Sequence, residues 1–526
     1  MPGPGCGGLY LRGGLVTGLA EWSSLAGWAS LAERTSLAGS TSLAEPTGLE
    51  PSLSPFTSYS LTALRAWGER RAIATAATTW SYAELADRVQ RRADQLLAQG
   101  LVPGQVVLAP EAPVLDLLLM QHALAPLGCG LLPVDSRRAP GELGALARLA
   151  GVEWRWQPDE AQAAGEGGRL VATPAGGRDL RSPPSGADSC RPVHTAPALI
   201  IETSGSSGAP KAVMLSPANV QVSARVTNEL LGLAPGDAWL GCLPRCHVGG
   251  LMIGYRCALA GATLVAHPGF VADAVARDLE CQGISHLSLV PPMLARLLAV
   301  MSAPPPGLRA VLVGGQALSG TLARQALAAG WPLRLTYGMT ETCSHIALSP
   351  TLTAVPPAGR VGPPLPGVEV RCPGTPDSPA PLQIRGPQVM LGYAGPGRQP
   401  DQGLTAGWFQ TSDLGYLTPE GDLTVVGRAD QLLVIGGEAV LPSRVEERLL
   451  AAPGVSAALV VGVPDPVWGH RLVVAYTGDL SPSALEAWCR GHLSDRERPR
   501  GFHRLTAFPL LDSGKPDLRA IKDQLA

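Results

Sequence analysis

The sequence predicts a large layered α/β domain followed by a small α+β domain. Three observations carry that expectation. From Leu61 to about residue 370, helical stretches alternate with short apolar runs, the pattern of helices layered on sheets. Beyond Ile384 the apolar runs shorten and turn signals crowd between them, as in "GDLTVVGRADQLLVIGGEAV". Towards the C-terminus, helix ("SRVEERLLAA") again alternates with strand ("AALVVGV", "RLVVAYT"). A chain of 526 residues is also too long for one hydrophobic core.

The first segment, residues 1–55, stands apart. Leu19, Leu25, Leu31, Leu37, Leu43 and Leu49 recur every six residues, in units such as "SSLAGW" and "TSLAEP". That period fits a β-helix rung. One leucine per rung gives little core, however, and Gly, Ser and Pro abound, so a low-complexity, largely disordered tail is expected. The start "MPGPGCGGLYLRGG" has no basic region followed by an apolar core, so no secretory signal is expected.

After the tail the texture changes. "YAELADRVQRRADQLLAQG" (Tyr82 to Gly100) has helical spacing and ends at a glycine, with a turn and strand following in "LVPGQVVLAP". "VLDLLLMQHALAPLGCGLLPVD" reads as a buried helix running into another strand. Residues 156 to 195, rich in Gly, Pro, Ala and Ser, read as a variable surface stretch. The second domain is expected to begin near Arg428 to Gln431. The expected division is 1–55 tail, 56–428 large domain and 429–526 small domain.

Bulk properties narrow the function. Apolar content is 45% and no 18-residue apolar run suggests a membrane span. A net charge of −2 offers no electrostatic argument for nucleic acid or an anionic membrane. Ten scattered cysteines suit reduced thiols in a cytoplasm. Cys242, Cys246 and His247 raise a metal site, but a closed zinc site needs about four ligands in recognised spacings. No second pair accompanies them, so core or loop cysteines are expected.

One stretch asks for chemistry. "APALII" (Ala196 to Ile201) reads as a buried strand, and "ETSGSSGAPKAVMLS" follows from Glu202. Glycines let several N–H groups converge on an anion, hydroxyls add donors and lysine adds charge. The standard nucleotide loop is not matched: Gly205 and Gly208 are too close, and Ala follows Lys211. By itself the stretch is either another phosphate cradle or an ordinary flexible turn.

Further stretches change its meaning. "LPRCHVGGLMIGYRCALAGATLV" places His247 on a turn before a Gly-rich helix start, and "LRAVLVGGQALS" ends a strand at Gly314-Gly315. "LTYGMTETCSH" clusters Tyr337, Thr340 and Glu341 at another strand end. "WFQTSDLGYLTPEGDLTVVGRADQLLVIGGEAVLPSRVEE" carries Asp413, Arg428 and Asp430, and "LLDSGKPDLRAIKDQL" puts Lys515 in a Gly-containing loop. From about Leu61 to Ala526, these motifs resemble, in order and spacing, the adenylate-forming superfamily of acyl-CoA synthetases, luciferases and peptide-synthetase adenylation domains.

The resemblance implies layered αβ sheets in the N-terminal domain, a mobile C-terminal domain and two half-reactions. A carboxylate and ATP give an acyl-adenylate and pyrophosphate, and a thiol then displaces AMP. It implies that Thr203, Ser204, Gly205, Ser206, Ser207, Gly208 and Lys211 wrap the β- and γ-phosphates. Glu341 resembles the family's Mg2+-binding glutamate. Gly314, Gly315, Tyr337 and Gly338 are implied to line the adenine pocket, with Met339 beside them in the nucleotide site. Thr340 is implied to contact the α-phosphate, Asp413 the ribose hydroxyls with help from Arg428, and Lys515 the charge developing during adenylation. His247 stands where the family gates the acyl pocket, Asp430 at the domain hinge, and Gly437 in the turn that lines the coenzyme A tunnel.

The chain departs from the family pattern in three places. Glu202 replaces an aromatic or apolar residue, Ala212 a glycine, and Pro516 follows the lysine where an apolar residue is usual. In finer detail "YGMTETCSH", "LPRCHVGGL", "LSLVPPMLARLL" and "WGHRLVVAY" look like the 2-succinylbenzoate–CoA ligases of menaquinone and phylloquinone synthesis. That branch implies a keto-diacid substrate, ATP, coenzyme A and magnesium, in a cytoplasmic enzyme. Another aryl or short to medium acyl-CoA synthetase, a stand-alone enzyme loading a carrier protein, and a non-catalytic binder on the same fold stay open. So does assembly as a homodimer.

Overall fold

The structure, a computed structural model, describes residues 61–159, 167–173, 197–204, 210–395, 398, 400–510 and 516–525. The six-residue leucine repeat of the tail lies outside the described residues.

The Tyr82–Ala98 helix starts where the sequence signals it. The Ser81 hydroxyl accepts from the Glu84 N–H at 3.2 Å, and the Glu84 carboxylate accepts from the Ser81 N–H at 2.8 Å. This capping box satisfies two donors that a helix start would otherwise orphan. The next helix, Val114–Leu124, is buried on every side from Asp116 to Leu124. A helix buried all round belongs between layers rather than on a surface. Its one acid, Asp116, accepts from Arg92 at 2.8 Å, with both side chains 1% exposed, so the charge enters the core paired.

Two large sheets sandwich this region. One runs, in spatial order, Ser344–Leu348, Leu333–Met339, Ala310–Val313, His286–Leu289, Ala238–Gly241, Thr263–Ala266, Arg71–Ala74 and Thr79–Ser81. Its six inner strands are parallel and its two edge strands antiparallel. The other runs Gly392–Tyr393, Pro210–Leu215, Leu199–Ser204, Gly130–Val134, Val106–Pro110, Trp154–Pro158 and Gly168–Ala172. A six-stranded antiparallel sheet follows, including Trp408–Leu417 and Leu423–Arg428. The principal core joins residues of all three sheets, among them Trp239, Leu215 and Leu423.

The stretch from 156 to 195 departs from the surface reading at its start. Trp154–Pro158 and Gly168–Ala172 pair as the edge of the second sheet. Trp156 is fully buried, with the Arg92 guanidinium 4.3 Å above its ring. The Gly, Pro and Ala content around it masks a short hairpin whose tryptophans supply the apolar face.

The C-terminal region carries its own core, made of Ile435, Val445, Leu449, Val460, Val474, Tyr476, Leu485 and neighbours from the same region. It contains the hairpin Leu433–Ile435 with Glu438–Val440, closed by Gly436 and Gly437 at φ 57° and 85°. Two successive positive φ values make this the tight turn that matches strand twist. A three-stranded sheet, Val455–Asp465, Gly469–Gly478 and Gly501–Arg504, completes the region with helices Pro442–Leu449 and Pro482–His492. Among the described residues, no helix is long and apolar enough to cross a membrane.

Candidate active site

The Gly/Ser stretch lies between antiparallel partners. Thr203 faces Lys211 and Ser204 faces Pro210 across the Leu199–Ser204 and Pro210–Leu215 strands. Gly205, Ser206, Ser207 and Gly208 lie outside the described residues. The loop thus joins two strands of a hairpin, unlike the strand-to-helix geometry of the standard nucleotide loop. Register also accounts for one departure from the family pattern: Glu202, opposite Ala212, pairs with Arg138 at 2.7 Å.

Two parallel strands bring the next group together. Gly314 and Gly315 follow Ala310–Val313, while Tyr337, Gly338 and Met339 end the adjacent Leu333–Met339 strand. Carboxyl ends of parallel strands are where open α/β sheets bind ligands. Gly338 permits a very close approach, since a Cβ there would lie 1.8 Å from the Ser344 carbonyl oxygen. Thr340 and Glu341 then enter a single helical turn, Thr340–Thr342. Cys343 and Ser344 leave it at φ 51° and 88°, rare for residues with side chains. Buried bonds hold this turn: Ser223 Oγ donates to the Cys343 carbonyl at 2.5 Å, and Arg256 Nη2 donates to Ser344 Oγ at 3.1 Å. Strain so over-determined is typical of functional sites.

Glu341 is held from two directions. Tyr393 Oη donates to Glu341 Oε1 at 2.8 Å, and the Met390 N–H donates to the Glu341 carbonyl at 2.8 Å. The Lys211 ammonium sits 4.7 Å from the Tyr393 ring centroid. The donor set fits magnesium: one half-buried carboxylate, completed by a substrate's phosphates, is how that ion is usually held. Among the described residues, no group of three or more His, Cys, Asp or Glu forms a protein-only metal cage.

Asp413 and Arg428, 15 residues apart, meet because they face each other across antiparallel strands. Tyr337 Oη donates to Asp413 Oδ2 at 2.6 Å, and Arg428 Nη1 donates to Asp413 Oδ1 at 3.4 Å. Arg428 also grips Asp430 through Nε at 2.9 Å and Nη2 at 2.6 Å. Burial, then the Asp413 charge, push the Tyr337 phenol well above its ordinary range, so it stays a donor. The bond to Asp430, ahead of the Asp413 charge, pushes Arg428 higher still. One hydrogen-bonded chain thus links the strand end at Tyr337, the carboxylate at Asp413 and the segment at Asp430.

His247 is exposed at the position before the Val248–Ala260 helix and makes no side-chain capping bond to it, so it is not a core histidine. The preceding Cys246 N–H donates to Glu111 at 3.1 Å. Cys242 is fully buried, its thiol facing the Ser288 carbonyl and pushed up to about 12 by burial. His286 and His345 are held neutral by burial, His286 near 4. Gly437 sits in its hairpin turn with nothing within 4 Å of where a Cβ would be. Lys515 lies outside the described residues.

Sequence reasoning missed Tyr393, Arg138 and Arg256. Tyr393 follows a glycine in a two-residue strand, too short for any periodic signal. Arg256 lies in a helix read only for its glycines, yet it is fully buried, 5.6 Å from the Trp239 ring centroid.

Comparison with known proteins follows the same lines. The family model described as AMP-binding enzyme matches residues 62–394, and that of the AMP-binding enzyme C-terminal domain matches residues 444–515. The 2-succinylbenzoate–CoA ligase of Bacillus licheniformis is 35% identical over 326 residues, 60% of this chain and 68% of that one. The o-succinylbenzoate coenzyme A synthetase of Bacillus subtilis, solved with ATP and magnesium ion, superposes with a TM-score of 0.75 at 27% identity, covering 88% of this chain and 99% of that one. The same enzyme solved with its acyl-adenylate intermediate gives 0.74 at 26% identity, covering 88% and 97%. The match over most of the chain's length, to family model and relatives alike, makes this chain a member of the AMP-binding enzyme family.

Proposed function

We propose that the chain is an ATP-dependent 2-succinylbenzoate–CoA ligase that works through an acyl-adenylate. The observation that carries this reading is that strand ends and register bring Tyr337 to Asp413 and Arg428, and Glu341, through Tyr393, to Lys211. In the first step a carboxylate oxygen of the acid attacks the α-phosphorus of ATP, and the bond to the β-phosphate oxygen breaks. Asp413 accepts from the ribose hydroxyls, the Tyr337 ring lies against adenine, and Thr340 meets the α-phosphate. The Thr203–Lys211 loop holds the β- and γ-phosphates. Magnesium held by Glu341 would neutralise charge on the departing pyrophosphate. Lys515 stabilises the charge gathering at the α-phosphate. In the second step the thiol sulfur of coenzyme A attacks the acyl carbonyl, AMP leaves, and the thiol proton passes to solvent or a base.

The two steps need different surroundings, so residues 429–526 are read as a mobile domain that turns about Asp430. The separate core of that region supports this. His247, exposed at a helix start, gates the acyl pocket, and Gly437 lines the coenzyme A tunnel when the domain turns. Free cysteines among the described residues suit a cytoplasmic setting.

The test is AMP release across a panel of carboxylic acids, with 2-succinylbenzoate, benzoate and short fatty acids, and with coenzyme A or a carrier protein as acceptor. Preference for 2-succinylbenzoate and coenzyme A is expected. A tenfold preference for another acid would reassign the substrate, and absence of acid-dependent pyrophosphate exchange would end the ligase reading.

A further inference from the structure

We propose that Tyr393 is a positioning residue for adenylation: its hydroxyl fixes the Glu341 carboxylate towards the magnesium–phosphate group while its ring face holds the Lys211 ammonium beside it. The proposal rests on the ligase reading above for the role of Glu341. Its geometry begins with register. Gly392–Tyr393 pairs antiparallel with the Pro210–Leu215 strand, Tyr393 opposite Val213. Lys211, two residues before Val213, is therefore the diagonal neighbour on the same face, within reach of a long side chain. Its ammonium lies 4.7 Å from the ring centroid, a cation–π distance.

The same phenol reaches the other way, donating to Glu341 Oε1 at 2.8 Å. One side chain thus spans the carboxylate assigned to the metal and the cation at the exit of the phosphate loop. Because only Oε1 takes the phenol, Oε2 keeps its lone pairs for a cation. A glutamate left without this donor would have to give up rotamer freedom each time a metal bound.

The tyrosine is itself held in place. Its N–H donates to the Gln402 carbonyl at 2.9 Å. The chain returns against the ring at Gly403, where a Cβ would lie 2.6 Å from ring atoms.

Two variants separate positioning from packing. Tyr393→Phe removes the hydroxyl and keeps the ring; Tyr393→Leu removes both. Binding of Mn2+ in the presence of ATP is read by electron paramagnetic resonance, and AMP binding without metal by calorimetry. Tyr393→Phe is expected to weaken Mn2+ binding about tenfold, the usual worth of a hydrogen bond to a charged group, with AMP affinity within twofold of wild type. Tyr393→Leu is expected to weaken ATP binding further while AMP binding holds. Mn2+ binding within twofold of wild type in Tyr393→Phe overturns the proposal. So does a parallel loss of AMP affinity, or failure of the wild type to bind Mn2+ with ATP. A wild type that binds Mn2+ and ATP but activates no acid would remove the ligase reading while the Tyr393→Phe comparison still decides this proposal.

Discussion

Replacing Asp413 by Asn tests the nucleotide site most directly, because it removes a charge and almost nothing else. Asp413 has a side chain 13% exposed and already accepts from Tyr337 and Arg428, one on each oxygen. A carboxylate has about four acceptor positions, so both oxygens keep capacity for ribose hydroxyls. Each such bond to a charged acceptor is worth about 1.5–3 kcal/mol. Asn retains one acceptor oxygen, so the expected loss is about 2–3 kcal/mol, or roughly 30- to 150-fold in kcat/KM for ATP. Stability should move little. Arg428, with a side chain 42% exposed, keeps Asp430 and solvent, so the variant leaves no buried charge unpaired. The Tyr337 phenol can still donate to the amide oxygen. ATP–pyrophosphate exchange at varied ATP, beside a thermal melt, reads both effects. A change below about threefold in kcat/KM would refute the ribose assignment. A fall in Tm beyond about 10 °C would show that Asp413 serves the fold instead.

Three further outcomes follow from the same site and its surroundings. Lys515→Ala should cost about a hundredfold or more in adenylation yet leave acyl transfer from preformed acyl-adenylate nearly intact; equal loss in both half-reactions would exclude its proposed role. Asp430→Pro locks φ near −65° at the residue gripped by Arg428, and should slow thioester formation more than pyrophosphate exchange; equal damage would remove the hinge. Burial lifts the Glu446 carboxyl from 4.5 to about 7 although it accepts from the Val460 N–H at 2.8 Å. The folded state therefore binds a proton that the unfolded chain has lost, and this group's contribution, full below about pH 4.5, falls away as pH rises through about 7. Glu446→Gln, neutral throughout, should melt near wild type at pH 5 and be more stable by on the order of 1–2 kcal/mol at pH 8; equal melting points at pH 8 would contradict this.

Much of the molecule was legible because its signals are local. The capped helix after Ser81, the leucine-rich buried helix at Val114–Leu124 and the strand before Gly314-Gly315 announce themselves through composition, period and terminal residues within a dozen positions. Motif spacing likewise pointed to Tyr337, Glu341, Asp413 and Arg428 together, and the structure joins Tyr337, Asp413 and Arg428 in one hydrogen-bonded chain. Only tertiary structure decided what sheet register and layer packing control. Glu202 looked like an anomaly until Arg138, 64 residues earlier, was beside it. Trp156 lay in a stretch of surface-like composition, yet it is buried because the Gly168–Ala172 strand pairs with its own. Tyr393 had no signal at all, since its meaning comes from a strand pairing with Val213 and a bond to Glu341, 52 residues away. Periodicity reports which face of an element is apolar; it carries no information about which distant strand will lie beside it, and that neighbour sets the partners of every polar group at this site.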